Sequence, residues 1–160
     1  MKITFLTLLL ALGFTSFAQT HQLVKHDGAE HHVNFIKHEN NVIHYSHPGS
    51  QEQQKISSHA VASIKHLKSS DHKKITEKVA VTSKSQYQKV KVLQHEDHAL
   101  GLRKATVFKG QLNKAKGISS SEQFANTTRS VKYRAAEKGY PFVAINKKSN
   151  GTYEAIAYTY

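Results

Sequence analysis

The chain has 160 residues and carries 23 lysines and arginines against 11 aspartates and glutamates, a formal net charge of +12 at pH 7. It contains 12 histidines and no cysteine, which excludes disulfides, a lipid attached through an N-terminal cysteine and a closed cysteine-ligated zinc site. The length suits one domain or two small subdomains.

The first eighteen residues have the pattern of a secretory signal peptide. A positive start at Met1-Lys2 precedes an apolar run from Ile3 to Phe14, and Ser16-Phe17-Ala18 is a small-x-small cleavage motif. The apolar run is short for a membrane span. We therefore expect residues 1–18 to be cleaved, leaving an exported, periplasmic or secreted protein without a transmembrane span.

Residues 19–80 are predicted to form a small, histidine-rich, antiparallel β subdomain. Short apolar runs alternate there with turn residues such as Asp27-Gly28, Asn40-Asn41 and Pro48-Gly49. The predicted strands are centred on Leu23-Val24, Val33 to Ile36, Val42 to Tyr45, Gln54 to Ser57 and Val61 to Leu67, with a last edge strand at Ile75 and Val79.

Residues 81–160 are predicted to form an α+β subdomain of order β-β-α-β-β, with one helix packed on an antiparallel sheet. Ser119 and Glu122 have the spacing of a capping box at the start of the helix, and Gly139 marks its end. Asn150-Gly151 is a strong hairpin signal. The predicted strands are centred on Val90 to Leu93, Ala105 to Gly110, Phe142 to Ile145 and Thr152 to Tyr160.

Periodicity predicts which side chains of this half are buried. Along the last strand, alternation places Tyr153, Ala155, Ala157 and Thr159 on one face. Along the helix, the predicted apolar stripe consists of Phe124, Thr128, Val131 and Ala135. The basic residues that fall largely off this stripe are Arg129, Lys132, Arg134 and Lys138.

Five stretches of the second half carry a family resemblance: Val90 to Leu93, Gly101-Leu102, Ala135 to Gly139, Phe142 to Ile145 and Ala157-Tyr158. Through them, the chain from about Tyr87 to Tyr160 resembles small bacterial envelope proteins related to the "heavy-metal-binding domain" family. The resemblance implies a small α+β sandwich that is often oligomeric, so a homo-oligomer is an open expectation. The matching residues are structural, and the resemblance therefore assigns no metal ligand.

Histidine is the unusual feature of the composition, and imidazole suits Zn, Cu and Ni. Three local sets could bring ligands to one ion: His26 with Glu30, His31 and His32; His44 with His47; and His95 with Glu96, Asp97 and His98. None matches a defined motif such as H-E-x-x-H. Strand alternation also points the neighbours His31 and His32 to opposite faces. Weak binding at several sites is therefore favoured over one tight site, beside the alternative that these rings are polar surface groups.

No catalytic motif is present: the sequence lacks G-x-S-x-G, a cysteine nucleophile, a P-loop and a dinucleotide-binding glycine motif. We therefore expect a non-enzymatic, exported envelope protein with a binding or stress-related role and no required cofactor. Its positive charge favours anionic partners, and of these we expect anionic envelope components or polysaccharide rather than nucleic acid. The alternative is a histidine-based protein that binds or buffers Zn, Cu or Ni.

Overall fold

The computed structural model describes residues 20–112 and 117–160, which form a mixed α+β fold of two sheets and one main helix. The predicted signal peptide lies outside these residues. The strands are β1 (His21–Lys25), β2 (Glu30–Glu39), β3 (Val42–Ser46), β4 (Gln53–Ser57), β5 (Val61–His66), β6 (His72–Lys74), β7 (Lys91–Leu93), β8 (Arg103–Gln111), β9 (Phe142–Lys147) and β10 (Thr152–Thr159). The helix is α1 (Ser120–Glu137), and short 3₁₀ helices span Ser58–Ala60, Lys84–Lys89 and Glu96–Ala99. Over these described ranges, no helix is both long and apolar enough to cross a membrane.

The first sheet contains six strands in the order β4-β3-β2-β1-β5-β6, and each pair is antiparallel. The ten-residue strand β2 pairs with β1 and then with β3, and its register shifts between Phe35 and Lys37. Such a bulge bends a strand, which lets β2 serve both neighbours. The core of this sheet consists of Leu23, Val33, Ile43, Ile56, Ala60, Val61 and Ile64.

Two predictions about this half can be checked directly. The turn at Asn40-Asn41 is confirmed: both residues have positive φ, 49° and 60°, as a type I′ hairpin turn requires. The last edge strand is not where the sequence placed it. It is β6, whose three residues are polar and exposed, so no apolar pattern marked it. Ile75 instead packs against the first core, whereas Val79 packs against the second.

The second sheet has the strand order β7-β9-β10-β8, and β7 runs parallel to β9. The prediction of a wholly antiparallel sheet is therefore wrong. The chain passes through β8 and α1 between β7 and β9, and a crossover of this length allows two adjacent strands to point the same way. The alternation along β10 is confirmed, because Tyr153, Ala155 and Ala157 are all buried in the second core.

Helix α1 begins and ends where the sequence indicated. Ser119 Oγ accepts the amide hydrogen of Glu122 at 3.2 Å, and the Glu122 carboxylate accepts the amide of Ser119 at 2.8 Å. This is the predicted capping box. Beyond the last turn, Gly139 has φ of 73°, the left-handed conformation that glycine adopts without strain.

The buried face of α1 differs from the predicted stripe at Phe124 and at Thr128, which is half-buried while its neighbour Thr127 is buried. Val131 and Ala135 are fully buried, but Phe124 is 37% exposed. The helix meets the core only from Thr127 onward, where the buried positions recur every fourth residue. The prediction that Phe124 is a core residue is therefore wrong, because it precedes the part of α1 that is buried.

The two sheets meet at a joint that is built largely by the 3₁₀ helix Glu96–Ala99. The amide of Ser57 donates to the carbonyl of Leu100 at 2.9 Å, and Nε2 of His98 donates to the carbonyl of Asn40 at 3.0 Å. Both bonds link the first half of the chain to this segment. They give the joint a defined geometry, since each fixes a backbone group.

Gly101 is required at the joint by both its conformation and its surroundings. Its φ is 79°, and a Cβ atom there would lie 2.6 Å from Cγ1 of Ile56, a residue of the first core. Real Cβ atoms do not approach another carbon so closely. The two halves therefore touch at a position that only glycine can occupy without displacing Ile56.

Candidate functional site

The structure separates the first predicted metal set. The Nε2 of His26 is 2.8 Å from Oγ1 of Thr76, and its ring lies 4.9 Å from that of Tyr160. Glu30 and His31 lie on β2, and both are exposed. Glu30 accepts a hydrogen bond from the Gln22 amide at 2.6 Å. His32 follows His31 on the same strand and faces the opposite side, as alternation requires.

The second predicted set, His44 and His47, does not form a common site either. His44 is buried on β3, where Nδ1 accepts from the Gln53 amide at 2.6 Å and Nε2 lies 3.7 Å from a Glu39 carboxylate oxygen. Both ring nitrogens therefore have neighbours already. His47 is exposed after β3, and its ring stands edge-on to Tyr45 with centroids 5.6 Å apart.

The third set is the one that the fold draws together. The rings of His95 and His98 have centroids 5.1 Å apart and are nearly perpendicular. His98 is buried, and because a carbonyl can only accept, its bond to Asn40 places the hydrogen on Nε2 and leaves a lone pair on Nδ1. Across residues 20–112 and 117–160, no three histidine, aspartate or glutamate side chains are arranged to hold a metal ion.

His59 joins this histidine pair to Phe142, a buried residue of β9. Its ring lies 6.3 Å from that of His98 and 5.4 Å from that of Phe142. Burial, together with the nearby charges of Lys91 and His98, lowers the pKa of His59 to about 4. The ring is therefore neutral at pH 7, and the joint is built around an uncharged imidazole.

A broad, basic depression lies along the exposed face of α1, and we call it the helix groove. It has a volume of about 600 Å³. It is lined by Lys84, Asn126, Arg129, Ser130, Tyr133 and Arg134. The five residues from α1 have the spacing of one helix face, turned away from the buried positions at Thr127, Val131 and Ala135. Lys84 is contributed by the 3₁₀ helix Lys84–Lys89.

Aromatic contacts fix two sides of the helix groove. The rings of Tyr133 and Tyr87 stack with centroids 3.9 Å apart, which ties α1 to the 3₁₀ helix. The guanidinium of Arg134 lies 4.6 Å above the Phe108 ring and donates to the Tyr153 hydroxyl at 3.3 Å. These two contacts hold Arg134 in place, and neither of them neutralises its positive charge as a carboxylate would.

The helix groove remains positive. Lys84 is 3.5 Å from a Glu137 carboxylate oxygen, but both side chains are more than half exposed, so this pair is weak. Arg129 is exposed and has no ion pair within the part of the chain that the structure describes. Three cations thus share one depression and only Lys84 is paired, weakly, with a carboxylate among the described residues, an arrangement suited to an extended anion.

The sequence alone indicates part of the helix groove. It predicts correctly that Arg129 and Arg134 lie off the apolar stripe of α1. However, their positions do not reveal that Lys84, 45 residues before Arg129 in the chain, completes the same depression. The stack between Tyr87 and Tyr133 brings Lys84 there, and such a long-range contact has no local sequence pattern.

Family models, curated proteins and solved structures were compared with the chain, and none of them matches it.

Proposed function

We propose that this protein is a non-enzymatic, exported envelope protein that binds anionic polymers, such as acidic polysaccharide or lipopolysaccharide, through the helix groove. The observation that carries the proposal is the grouping of Lys84, Arg129 and Arg134 around one depression of about 600 Å³. The net charge of +12 adds long-range attraction for any polyanion. The volume of the groove favours a chain-like ligand over a single small ion.

The groove also offers neutral contacts that a polysaccharide could use. The side chains of Asn126 and Ser130 can donate and accept hydrogen bonds, and Tyr133 supplies a half-buried ring. Sugars combine hydroxyl groups with apolar ring faces, so this mixture suits an acidic sugar better than a bare phosphate.

Reversing one charge in the groove tests the proposal. Arg129→Glu is expected to weaken binding to a soluble acidic polysaccharide about five-fold or more at low ionic strength, because it places a carboxylate among the groove cations. The slope of affinity against salt concentration should also fall. Titration calorimetry at two salt concentrations measures both quantities.

The matched control is Lys65→Glu, which changes the net charge equally but lies exposed on β5 of the other sheet. It is expected to bind almost like the unaltered protein. Equal losses in the two variants would mean that only overall charge attracts the polymer, and the groove would then not be the binding site.

We also infer that the two sheets act as two subdomains, residues 19–80 and 81–160, of which the second carries the groove. Each sheet has its own core, and the cores share no residue. Export, the relation to the "heavy-metal-binding domain" family and a homo-oligomeric state stay predictions from the sequence.

The second candidate function is transition-metal binding, and the geometry of His95 and His98 favours it. Their rings are adjacent, and His98 donates its Nε2 hydrogen to a backbone carbonyl. Histidine ligands in metal sites are commonly oriented by a bond of this kind. Two ligands make an open, weak site, consistent with the weak binding expected from the sequence.

His95→Ala is expected to abolish the strongest uptake of Zn, Cu or Ni in calorimetric titrations at pH 7.5. The control is His47→Ala, since His47 is exposed and its ring contacts Tyr45, and it should leave the strongest site intact. Uptake should weaken as the pH is lowered, because protons compete with the metal for the ring nitrogens. Flat traces with all three metals would reject this candidate.

A further inference from the structure

A second cavity, separate from the helix groove, opens on the first sheet among β1, β2, β5 and β6. Its volume is about 180 Å³. Its floor is apolar and consists of Phe35, Ile64 and Ile75, which also pack in or against the first core. We call it the histidine pocket, since His21, His38 and His66 stand around its rim.

The bonding of His66 determines what it offers to the pocket. Its Nδ1 lies 3.2 Å from the backbone nitrogen of Lys68, which can only donate. Nδ1 must therefore carry the lone pair, and the hydrogen of the neutral ring is on Nε2. His66 thus presents an N–H donor. The ring of His21 stands perpendicular to it with centroids 4.8 Å apart.

The other histidines of the rim are held by hydroxyl groups. Nδ1 of His21 is 2.7 Å from Oγ1 of Thr20, and Nε2 of His38 is 2.7 Å from Oγ of Ser58. These bonds fix the ring orientations and leave the pocket open between them. A three-ligand metal site is not formed here, so the chemistry of the rim is that of hydrogen bonds and charge.

One ammonium group and one carboxylate complete the rim. Lys73 lies on β6 and has no ion pair among the described residues. The carboxylate of Asp71 already accepts a hydrogen bond from the Ser69 hydroxyl at 2.9 Å. The rim therefore has an N–H donor on His66 and a cation on Lys73 that are both available to a ligand.

We propose that the histidine pocket binds a small carboxylate with an apolar ring or short branched body. The apolar body would cover Phe35, Ile64 and Ile75, and the carboxylate would lie between His66 and Lys73. The pocket volume of about 180 Å³ suits such a ligand, because an apolar protein cavity of about 150 Å³ accommodates benzene. An apolar floor with a few polar groups at one side is also the usual character of a small-molecule site.

Benzoate is a suitable probe, with benzyl alcohol as its uncharged counterpart. Titrations of the mature protein, followed by calorimetry and by NMR of the pocket side chains, should show saturable benzoate binding. Benzyl alcohol should bind about ten-fold more weakly, since it lacks the charge that strengthens the hydrogen bonds. Equal binding of the two compounds, or no saturable benzoate binding, would overturn the proposal.

Lys73→Gln should weaken benzoate binding about five-fold and leave benzyl alcohol unaffected. The control is Lys74→Gln, the next residue of β6, whose ammonium pairs with Glu77 at 2.7 Å rather than lining the pocket. It should bind benzoate normally, and equal losses in the two variants would contradict the assignment. Arg129→Glu should also bind benzoate normally, which separates this pocket from the helix groove.

Discussion

Val131→Asp is expected to unfold the second sheet. Val131 lies on α1 and is fully buried in the second core. No described basic residue belongs to that core, and Arg134, which touches it, is already held by Phe108 and Tyr153, so the new carboxylate would be buried without a partner. An uncompensated buried charge costs several kcal/mol, here at least about 4 kcal/mol. This is a large share of the ~5–15 kcal/mol that stabilises a typical domain.

Urea unfolding followed by circular dichroism measures the loss. The control is Ala125→Asp, which places the same group on an exposed position of the same helix. It is expected to change the free energy of unfolding by less than about 0.5 kcal/mol. Lys132→Asp would be a poorer control, because the Lys132 ammonium donates to the carbonyl of Gln88 at 3.2 Å and the substitution would remove that bond. If Val131→Asp and Ala125→Asp lower the free energy of unfolding equally, the assignment of Val131 to the buried face of α1 is wrong.

Acidification is expected to weaken the joint through His59. The folded pKa of His59 is about 4, against about 6.5 in an unfolded chain. Between these values the unfolded chain binds the proton more readily than the folded one, so stability falls as the pH is lowered. The effect is absent above about pH 7 and complete below about pH 4. The difference sets an upper limit of ~3 kcal/mol, and partial exposure of the ring reduces it to about 1–2 kcal/mol.

Burial of the His59 ring is the largest cause of its lowered pKa, and the groups facing the ring add to it. Lys91 on β7 and His98 on the 3₁₀ helix Glu96–Ala99 both disfavour a second positive charge, and Phe142 on β9 offers an apolar surface. A protonated His59 would therefore be repelled from the neighbours that hold it at neutral pH.

Urea unfolding at pH 7.5 and at pH 4.5, with a chelator present, tests this expectation. His59→Gln should lose less stability between the two pH values than the unaltered protein, because glutamine does not titrate. Exposed His31 provides the control His31→Gln, which should keep the full pH dependence. The prediction fails if all three proteins show the same difference. A residual dependence is expected from His26, whose pKa is lowered by burial and by Lys78.

Local chemistry explains which parts of the fold the sequence predicts well. The capping box at Ser119, the type I′ turn at Asn40-Asn41 and the alternation along β10 each depend on residues within a few positions of one another. Their physical causes are an orphan amide group, a left-handed backbone and a two-residue side-chain period. Nothing distant in the chain is needed to recognise them.

Two of the errors concern contacts between distant segments. The parallel pairing of β7 with β9 joins residues about fifty positions apart, and no property of Lys91 or Val92 announces it. The same holds for the exposure of Phe124, which depends on which turns of α1 pack against the second core. Histidine spacing was a guide only for His95 and His98, since one short 3₁₀ helix positions both rings.

The strand order of the second sheet also determines when that sheet can assemble. Strand β10 comes last in chain order but lies between β8 and β9, and β7 is joined to the sheet only through β9. In contrast, the first four strands of the other sheet pair with sequence neighbours and can form hairpin by hairpin. During synthesis, the first sheet can therefore fold while the second is still incomplete. Until Thr152–Thr159 has been made, β8 has no partner and the residues of the helix groove have no rigid support.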